Sequence, residues 1–295
     1  MPYANVNDIK IHYDIAGGDE EGAQWVVLVN GLADDLYAWD AQITALVEAG
    51  YRVLRYSNRG IGLSSRPPGP YSSHLLATDL HALLLHLQIP AFHLLGISMG
   101  GMVAQSYALA YPNPTSTSAT EPGSGPNPTM LSLTLACTYA HPGPFCARLF
   151  AHWRAVALTV GVAEVMREVL LWAFTVPFFA SAELHAIERA VTELDMGVPE
   201  YLAQLSVIED FDSVAASSEL WGRGEVLGGV RPGRVCVLVG EEDILIPVKL
   251  SRELWEGLVG AEWRTTRGGH GCVWEFAEEF NRSYIGFIKG VEAGE

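Results

Sequence analysis

The run Gly96-Ile97-Ser98-Met99-Gly100 places a serine between two glycines in the pattern G-x-S-x-G. It follows an apolar segment predicted to be a strand and precedes a predicted helix, which is the setting of a nucleophile elbow. A serine in such a turn is strained and exposed, so its neighbours must be small enough to let the backbone approach closely. Ser98 is therefore the candidate nucleophile.

A serine hydroxyl is a weak nucleophile, so it needs a general base and a carboxylate that orients the base. His270 stands in a glycine-rich loop, Arg267-Gly268-Gly269-His270-Gly271, just after the last predicted strand. A loop at that point can reach over the elbow, so His270 is the predicted base. Other histidines fall on predicted helices or strands and are interpreted as structural or solvated: His12, His74, His81, His86 and His93.

The orienting acid is expected after a strand that precedes the base in the chain. The run Val239-Gly240-Glu241-Glu242-Asp243 leaves a strand through a glycine and offers three successive carboxylates. Asp243 is the predicted acid, because it lies deepest in the turn while Glu241 and Glu242 can face solvent. The alternative position, after the strand predicted at 131–136, carries Cys137-Thr138-Tyr139 and no carboxylate.

A tetrahedral intermediate also needs two amide donors in a preorganised oxyanion hole. We expect one from Met99, the residue after the nucleophile, and the other from Leu32, in the turn Asn30-Gly31-Leu32 after an early strand. This chemistry requires no cofactor and no metal. The four cysteines show no spacing typical of a metal site: Cys137, Cys146, Cys236 and Cys272.

Strand-like and helix-like segments alternate through the first 110 residues, which is typical of a mostly parallel sheet covered by helices. The fold class is therefore α/β, with a mostly parallel central sheet flanked by helices. Strands are predicted at 8–15 (an edge strand), 25–29, 51–56, 92–95, 131–136, 235–239 and 261–265. Helices are predicted at 37–49, from a cap at Ser72 to just before Pro90, at 98–111 and at 274–289.

Two stretches interrupt this alternation. Residues 113–129 are rich in Pro, Ser, Thr and Gly and are interpreted as an exposed inserted loop. Residues 142–224 are helical in pattern, apolar and aromatic, and lie between two predicted core strands. An excursion of that size must pack on the sheet, so we predict a helical cap at 142–224 on a core formed by 1–141 and 225–295.

The composition excludes several classes of partner. The 295 residues include 18 Lys and Arg against 34 Asp and Glu, a formal net charge of −16, so neither nucleic acid nor an anionic membrane surface is an expected partner. The longest apolar candidate for a membrane span, Val169 to Ala182, is too short and contains Pro177. The amino-terminal residues lack the basic start and apolar run of a secretion signal, and we expect a reducing, cytoplasmic location.

The assembled pattern resembles the α/β-hydrolase family, most closely its 3-oxoadipate enol-lactonase group. The motifs that carry the likeness are Asn30 to Leu36 with Trp39-Asp40, Tyr51 to Tyr56, Arg59 to Ser64, Pro67 to Ser72, Gly96 to Met102, Gly240 to Asp243 with Pro247, and Gly268 to Gly271. The resemblance implies Ser98, Asp243 and His270 as a catalytic triad, with Leu32 and Met99 as oxyanion donors. Two features depart from the family: Ser57-Asn58-Arg59-Gly60-Ile61-Gly62, where the usual pattern is Asp-x-Arg-Gly-His-Gly, and the insertion at 113–129.

The sequence thus predicts a cofactor-independent serine hydrolase that acts on a small-molecule ester or lactone through an acyl-enzyme. An enol-lactonase must bind a negatively charged side chain, but no cap arginine aligns with that role: Arg148, Arg154, Arg167 and Arg189. The aromatic cap and the acidic charge favour a neutral, apolar substrate. The alternatives are an enol-lactonase for an anionic lactone, a carbon-carbon bond hydrolase, a cofactor-free haloperoxidase and a ligand receptor of the same fold. The sequence does not define the oligomeric state.

Overall fold

The computed structural model describes residues 2–18, 22–113, 127–192, 194–216, 230 and 233–294. Most of the predicted insertion and the end of the predicted cap therefore lie outside the described residues.

The described residues form one eight-stranded sheet, in the order β1-β2-β4-β3-β5-β6-β7-β8. β1 pairs with β2 and β2 with β4 in antiparallel fashion, whereas all the other neighbours run parallel. The mostly parallel α/β sheet predicted from the sequence is thus confirmed. The strands are β1 Tyr3–Val6, β2 Ile9–Ala16, β3 Trp25–Val29, β4 Arg52–Tyr56, β5 Ala91–Ile97, β6 Thr129–Ala136, β7 Val235–Gly240 and β8 Glu262–Thr266.

Helices cover both faces of the sheet. On one face, Leu46 of the first helix and Phe280 and Phe287 of the last pack against residues of the central strands such as Val26. The other face carries the larger core, to which the remaining long helices contribute. The α-helices are α1 Asp40–Glu48, α2 Ser73–His86, α3 Met99–Ala110, α4 Pro144–Thr159, α5 Val162–Ala173, α6 Ala182–Thr192, α7 Val198–Glu209, α8 Ser213–Ala216, α9 Val248–Gly257, α10 Cys272–Glu275 and α11 Ala277–Ala293, with 3₁₀ turns at Leu36–Trp39 and Val176–Ala180.

Two local predictions need correction. The segment 8–15 was predicted as an edge strand, but β2 is paired on both sides and the edge is β1, Tyr3–Val6, which is too short to show a clear alternation. The last helix was predicted as one element from 274 to 289, but Phe276 leaves the helical conformation with φ of −128° and ψ of 47°. Its ring packs against the Gly268 position and under the Arg267 guanidinium, so the chain forms α10 and then α11.

Helices α4 to α8 lie between β6 and β7 in the chain, as the sequence pattern indicated. α4 packs on both α5 and α7, and α5 packs on α6. The division of the chain into a core and a cap remains a prediction. Among the described helices, none has the length and apolar character needed to cross a membrane.

Candidate active site

The loops that follow β3, β5, β7 and β8 all lie at the carboxyl edge of the sheet, because these strands run parallel. In open α/β sheets this edge is where ligands bind. The loops carry the residues singled out in the sequence, namely Leu32, Ser98, Asp243 and His270.

Ser98 lies in a strained turn between β5 and α3. Its φ of 54° and ψ of −120° fall outside the conformations that residues with a side chain usually adopt. The turn is held by the Ser98 amide, which donates to the Ala136 carbonyl at 2.9 Å, and by Thr138 Oγ1, which donates to the Ser98 carbonyl at 2.9 Å. A side chain at Gly100 would lie 2.1 Å from the Val29 carbonyl oxygen, so only glycine allows this close approach.

His270 and Asp243 form a buried pair. His270 Nδ1 lies 2.8 Å from Asp243 Oδ2, and the second carboxyl oxygen accepts a hydrogen bond from the Ile246 amide at 2.9 Å. Asp243 is 3% exposed, whereas Glu241 and Glu242 are exposed. The carboxylate therefore holds the imidazole in the tautomer that carries its proton on Nδ1, which leaves Nε2 as the acceptor.

Two opposing effects set the protonation of His270. Burial disfavours the charged imidazolium, but the Asp243 carboxylate stabilises it by its charge and hydrogen bond, with smaller contributions from Cys137 and Asp34. The net result raises the pKa of His270 to about 9. A base with this pKa holds an accepted proton strongly.

The amides predicted to form the oxyanion hole belong to Leu32 and Met99. Met99 is the first residue of α3, where an amide has no partner within the helix. Within the described part of the chain, neither amide donates to another protein group. Leu32 borders the cavity at this edge of the sheet, whereas Met99 is fully buried and does not border it, so its role as a donor stays a prediction.

The turn that carries Leu32 is fixed from two directions. Asn30 Nδ2 donates to the Tyr56 carbonyl at 2.8 Å and to the Asp34 carbonyl at 3.3 Å. From the other side, the Ala33 amide donates at 3.0 Å to Oε1 of Gln204, a residue of α7. The sequence interpretation missed Gln204, because it lies 171 positions after Ala33 in a helix with no recognisable motif.

A cavity of about 560 Å³ lies over this edge of the sheet. Ser98, His270 and Asp34 border it on the side of the strand ends. The opposite wall is apolar, and includes Phe150, Trp153, Met166, Leu170 and Phe174. Among the described residues that border the cavity there is no lysine and no arginine. No hydrogen bond joins Ser98 Oγ to His270 in the described contacts, but both face the same space.

The four arginines considered as partners for an anionic substrate lie away from this cavity. Arg154 pairs with Glu209, and Arg167 pairs with Glu164 at 2.9 Å. Arg148 donates to the Pro144 carbonyl at 3.0 Å. Arg189, on α6, is exposed. None of the four therefore supplies a cation to the described cavity wall.

One group of donor atoms could in principle hold a metal. Cys137 Sγ, an Asp243 oxygen and a His270 nitrogen lie within 4.8 Å of one another, and all three residues are buried. Asp243 and His270 are already hydrogen-bonded to each other, through Oδ2 and Nδ1. A hydrogen bond with Cys272 and burial raise the pKa of the Cys137 thiol, so it is a poor thiolate ligand. The acid-base interpretation of Asp243 and His270 fits the geometry better.

Two of the histidines interpreted as structural have ring partners in the fold. His93 is fully buried in β5, with Nδ1 2.7 Å from Ser132 Oγ and Nε2 2.9 Å from Gln24 Oε1. Burial lowers its pKa to about 4. His81 stacks on Tyr111 with ring centroids 3.8 Å apart. Neither borders the cavity.

An eight-stranded sheet with a strained serine turn after β5 and an acid-base pair at the ends of β7 and β8 is the arrangement of an α/β hydrolase. Residues 24–123 match the family model described as alpha/beta hydrolase fold. Over these residues the chain is similar to that family, and its fold is that of the α/β hydrolases.

Known proteins similar to the chain have several activities. The enol-lactonase of Burkholderia xenovorans LB400 superposes with a TM-score of 0.79 and 27% identity, over 98% of this chain and all of that one. 3-Oxoadipate enol-lactonase 2 of Acinetobacter baylyi is 41% identical over 105 residues, 36% of this chain and 38% of the relative. The 2-hydroxy-6-oxononadienedioate/2-hydroxy-6-oxononatrienedioate hydrolase of Paraburkholderia xenovorans is 29% identical over 95% of this chain and 91% of its own length. Further relatives over most of the chain are named carbamate hydrolases. The resemblance to enol-lactonases is thus confirmed, and the relatives together define a hydrolase family.

Proposed function

We propose that the protein is a serine hydrolase that cleaves a neutral, mainly apolar carboxylic ester or lactone. The observation that supports this most directly is the hydrogen bond between His270 and the buried Asp243, at the edge of a cavity that Ser98 also borders. Nucleophile, base and orienting acid thus come from three loops at one edge of the sheet. Their chain order, Ser then Asp then His, is that of α/β hydrolases.

In the proposed reaction, Ser98 Oγ attacks the carbonyl carbon while His270 Nε2 accepts the hydroxyl proton. The carbonyl oxygen becomes an oxyanion, for which the Leu32 and Met99 amides are the donors. As the intermediate collapses, the carbon-oxygen bond to the leaving group breaks and the alkoxide takes the proton from His270. Water then attacks the acyl-enzyme with His270 again as base, which releases the acid and restores Ser98.

The cavity wall supports the choice of a neutral, apolar substrate. Five large apolar side chains on α4 and α5 and just after them face the reacting groups: Phe150, Trp153, Met166, Leu170 and Phe174. Burying one methylene group of an acyl chain against such a wall contributes about 0.8 kcal/mol. A carboxylate placed there would lose its hydration without meeting a described cation.

The same wall weighs against two of the alternatives. The Paraburkholderia relative acts on dienedioates, which carry two carboxylates. An enol-lactonase for an anionic lactone likewise requires a cationic partner. Since no described residue of the cavity wall is a lysine or an arginine, we favour an uncharged substrate over either class of anionic substrate.

The function is tested with 4-nitrophenyl esters of uncharged acids and the Ser98→Ala variant. We expect turnover to fall at least about 10³-fold, because the nucleophile is lost while the cavity and the amide donors remain. The matched control is Ser106→Ala, which removes a half-buried hydroxyl on α3, the helix that follows Ser98. This hydroxyl is hydrogen-bonded to Ser73 Oγ at 2.8 Å. Ser106→Ala should retain activity, and circular dichroism should show that both variants fold.

A serine-reactive fluorophosphonate extends this test, because it should add one adduct to the wild-type protein and none to Ser98→Ala. Retained ester turnover in Ser98→Ala would contradict the proposal. The receptor alternative predicts a single acylation with a shift in thermal stability instead of many turnovers per protein.

A further inference from the structure

Asp34 is a carboxyl group inside the proposed active site with no role in the triad. It lies in the turn after β3 and borders the same cavity as Ser98 and His270. Its side chain accepts no hydrogen bond from the described residues and forms no ion pair with them, although its backbone carbonyl is held by Asn30. Burying an unpaired carboxyl group in a mainly apolar cavity costs free energy, and the same group affects which ligands can bind beside it.

The position of Asp34 relative to the nucleophile is defined through Gly31. A side-chain carbon placed on Gly31 would lie 2.7 Å from Asp34 Oδ2 and 3.7 Å from Ser98 Cβ. Asp34 Oδ2 therefore lies within about 6.4 Å of Ser98 Cβ. The acyl group of a bound ester, which must reach Ser98, passes close to Asp34.

The other acidic residues of the cavity wall differ from Asp34 in their surroundings. Asp40 forms an ion pair with Arg55. Asp35 accepts a hydrogen bond from the Tyr37 amide at 2.9 Å, and the charges of His12 and Arg55 favour its ionised form. These two charges are partly balanced within the protein. Among the described residues, His270 alone opposes the charge of Asp34, and the proposed mechanism uses His270 as the base.

We propose that Asp34 is a specificity-determining residue that makes the active site discriminate against substrates with a carboxylate near the reacting carbonyl. This inference rests on the proposed function, since the acyl group must be bound at Ser98. It adds a repulsive element to a cavity that already lacks a cation. Like charges placed side by side in a partly desolvated site repel each other strongly, so a single residue can exclude a whole class of ligands.

The proposal is tested with two 4-nitrophenyl esters of matched shape. The 5-methylhexanoate is uncharged, and the monoester of glutaric acid has a carboxylate in place of its terminal isopropyl group. At a pH of about 8.5, where Asp34 is ionised, we expect Asp34→Asn, which keeps the size of the side chain, to raise kcat/KM for the glutarate ester relative to the neutral ester at least about tenfold. The control Asp35→Asn removes a balanced charge from the same wall and should change the ratio less than about threefold.

The pH dependence of this ratio provides a second readout. Burial and then the neighbouring Asp35 raise the pKa of Asp34 to about 7, against the opposing charge of His270. The other titratable groups on the cavity wall are Tyr37 and Asp40. In the wild type the preference for the neutral ester should therefore grow as the pH rises through about 7. In Asp34→Asn this preference should not change with pH. The titration of His270 affects kcat/KM of both esters equally, because both use the same base, so it does not change their ratio.

Binding without turnover separates this inference from the proposed function. Calorimetric titration of Ser98→Ala, with and without Asp34→Asn, uses the amides of the same two acids, 5-methylhexanamide and glutaric acid monoamide. At the same pH of about 8.5, we expect the monoamide to bind at least about tenfold more tightly when Asp34 is replaced. If the wild type hydrolyses neither ester, the proposed function is wrong, and these titrations still decide the role of Asp34. Ratios that do not change in Asp34→Asn, or that change equally in Asp35→Asn, would overturn the inference.

Discussion

The two walls of the cavity are built in different ways. On the side of the sheet, the turns are fixed by hydrogen bonds: Asn30 to the Tyr56 carbonyl, Ala33 to Gln204, and His270 to Asp243. On the other side, α4 and α5 present apolar side chains such as Trp153 and Leu170, which offer shape and no polar partner. The first wall can position reacting atoms, whereas the second can only select what fits. Substitutions of the hydrogen-bonded residues of the first wall should therefore change the rate for every substrate, and those in the second only the preference among substrates.

The largest effect is expected from Asp243→Asn, on the side of the sheet. An amide in place of the carboxylate can stabilise the wrong tautomer of His270 and cannot support an imidazolium, so kcat should fall about 10⁴-fold. The loss should be equal for short and long acyl chains, as measured with 4-nitrophenyl acetate and octanoate. The control is Glu242→Gln, the exposed carboxylate next to it.

A loss in Asp243→Asn that depended on chain length would contradict the separation of the two walls. A loss of the same size in Glu242→Gln would show that the charge of the loop matters rather than the hydrogen bond to His270.

The second effect is the response of the wild type to pH. His270 must be neutral to accept the Ser98 proton, and its pKa of about 9 lies above neutral pH. The neutral fraction, and with it kcat/KM for an uncharged ester, should therefore rise about tenfold per pH unit until the pH reaches about 9. Rates corrected for spontaneous hydrolysis test this, and a level profile from about pH 7 to 9 would contradict it.

In Asp243→Asn the same profile should shift to lower pH. Burial then acts on His270 without the carboxylate charge that opposes it, so the imidazole loses its proton more readily. If the midpoint of the pH profile stayed the same in this variant, a group other than His270 would control the rise of kcat/KM with pH in the wild type.

The two walls also differ in how far the sequence predicted them. Ser98 and His270 stand in short motifs beside apolar strands, so local spacing was enough to nominate them and to predict the parallel sheet. Asp34 lies next to recognised residues, but its importance depends on its side chain having no partner among the described residues, which only the fold reveals. Gln204 could not be found from spacing, because the chain returns to the Ala33 turn only when α7 packs near the sheet. For the apolar wall, the sequence predicted an apolar and aromatic helical segment, but not which of its side chains border the cavity.

The smallest effect is expected from Leu170→Trp, on the helical wall. Leu170 borders the cavity, and the larger indole should fill space that the end of a long acyl chain would otherwise occupy. Losing the burial of about two methylene groups corresponds to about a tenfold fall in kcat/KM for the octanoate ester relative to the acetate ester. Leu171→Trp is the matched control, because Leu171 is 62% exposed and does not border the cavity. A profile that changed equally in both variants, or an acetate rate that fell as far as the octanoate rate, would mean that the helical wall also positions the reacting atoms.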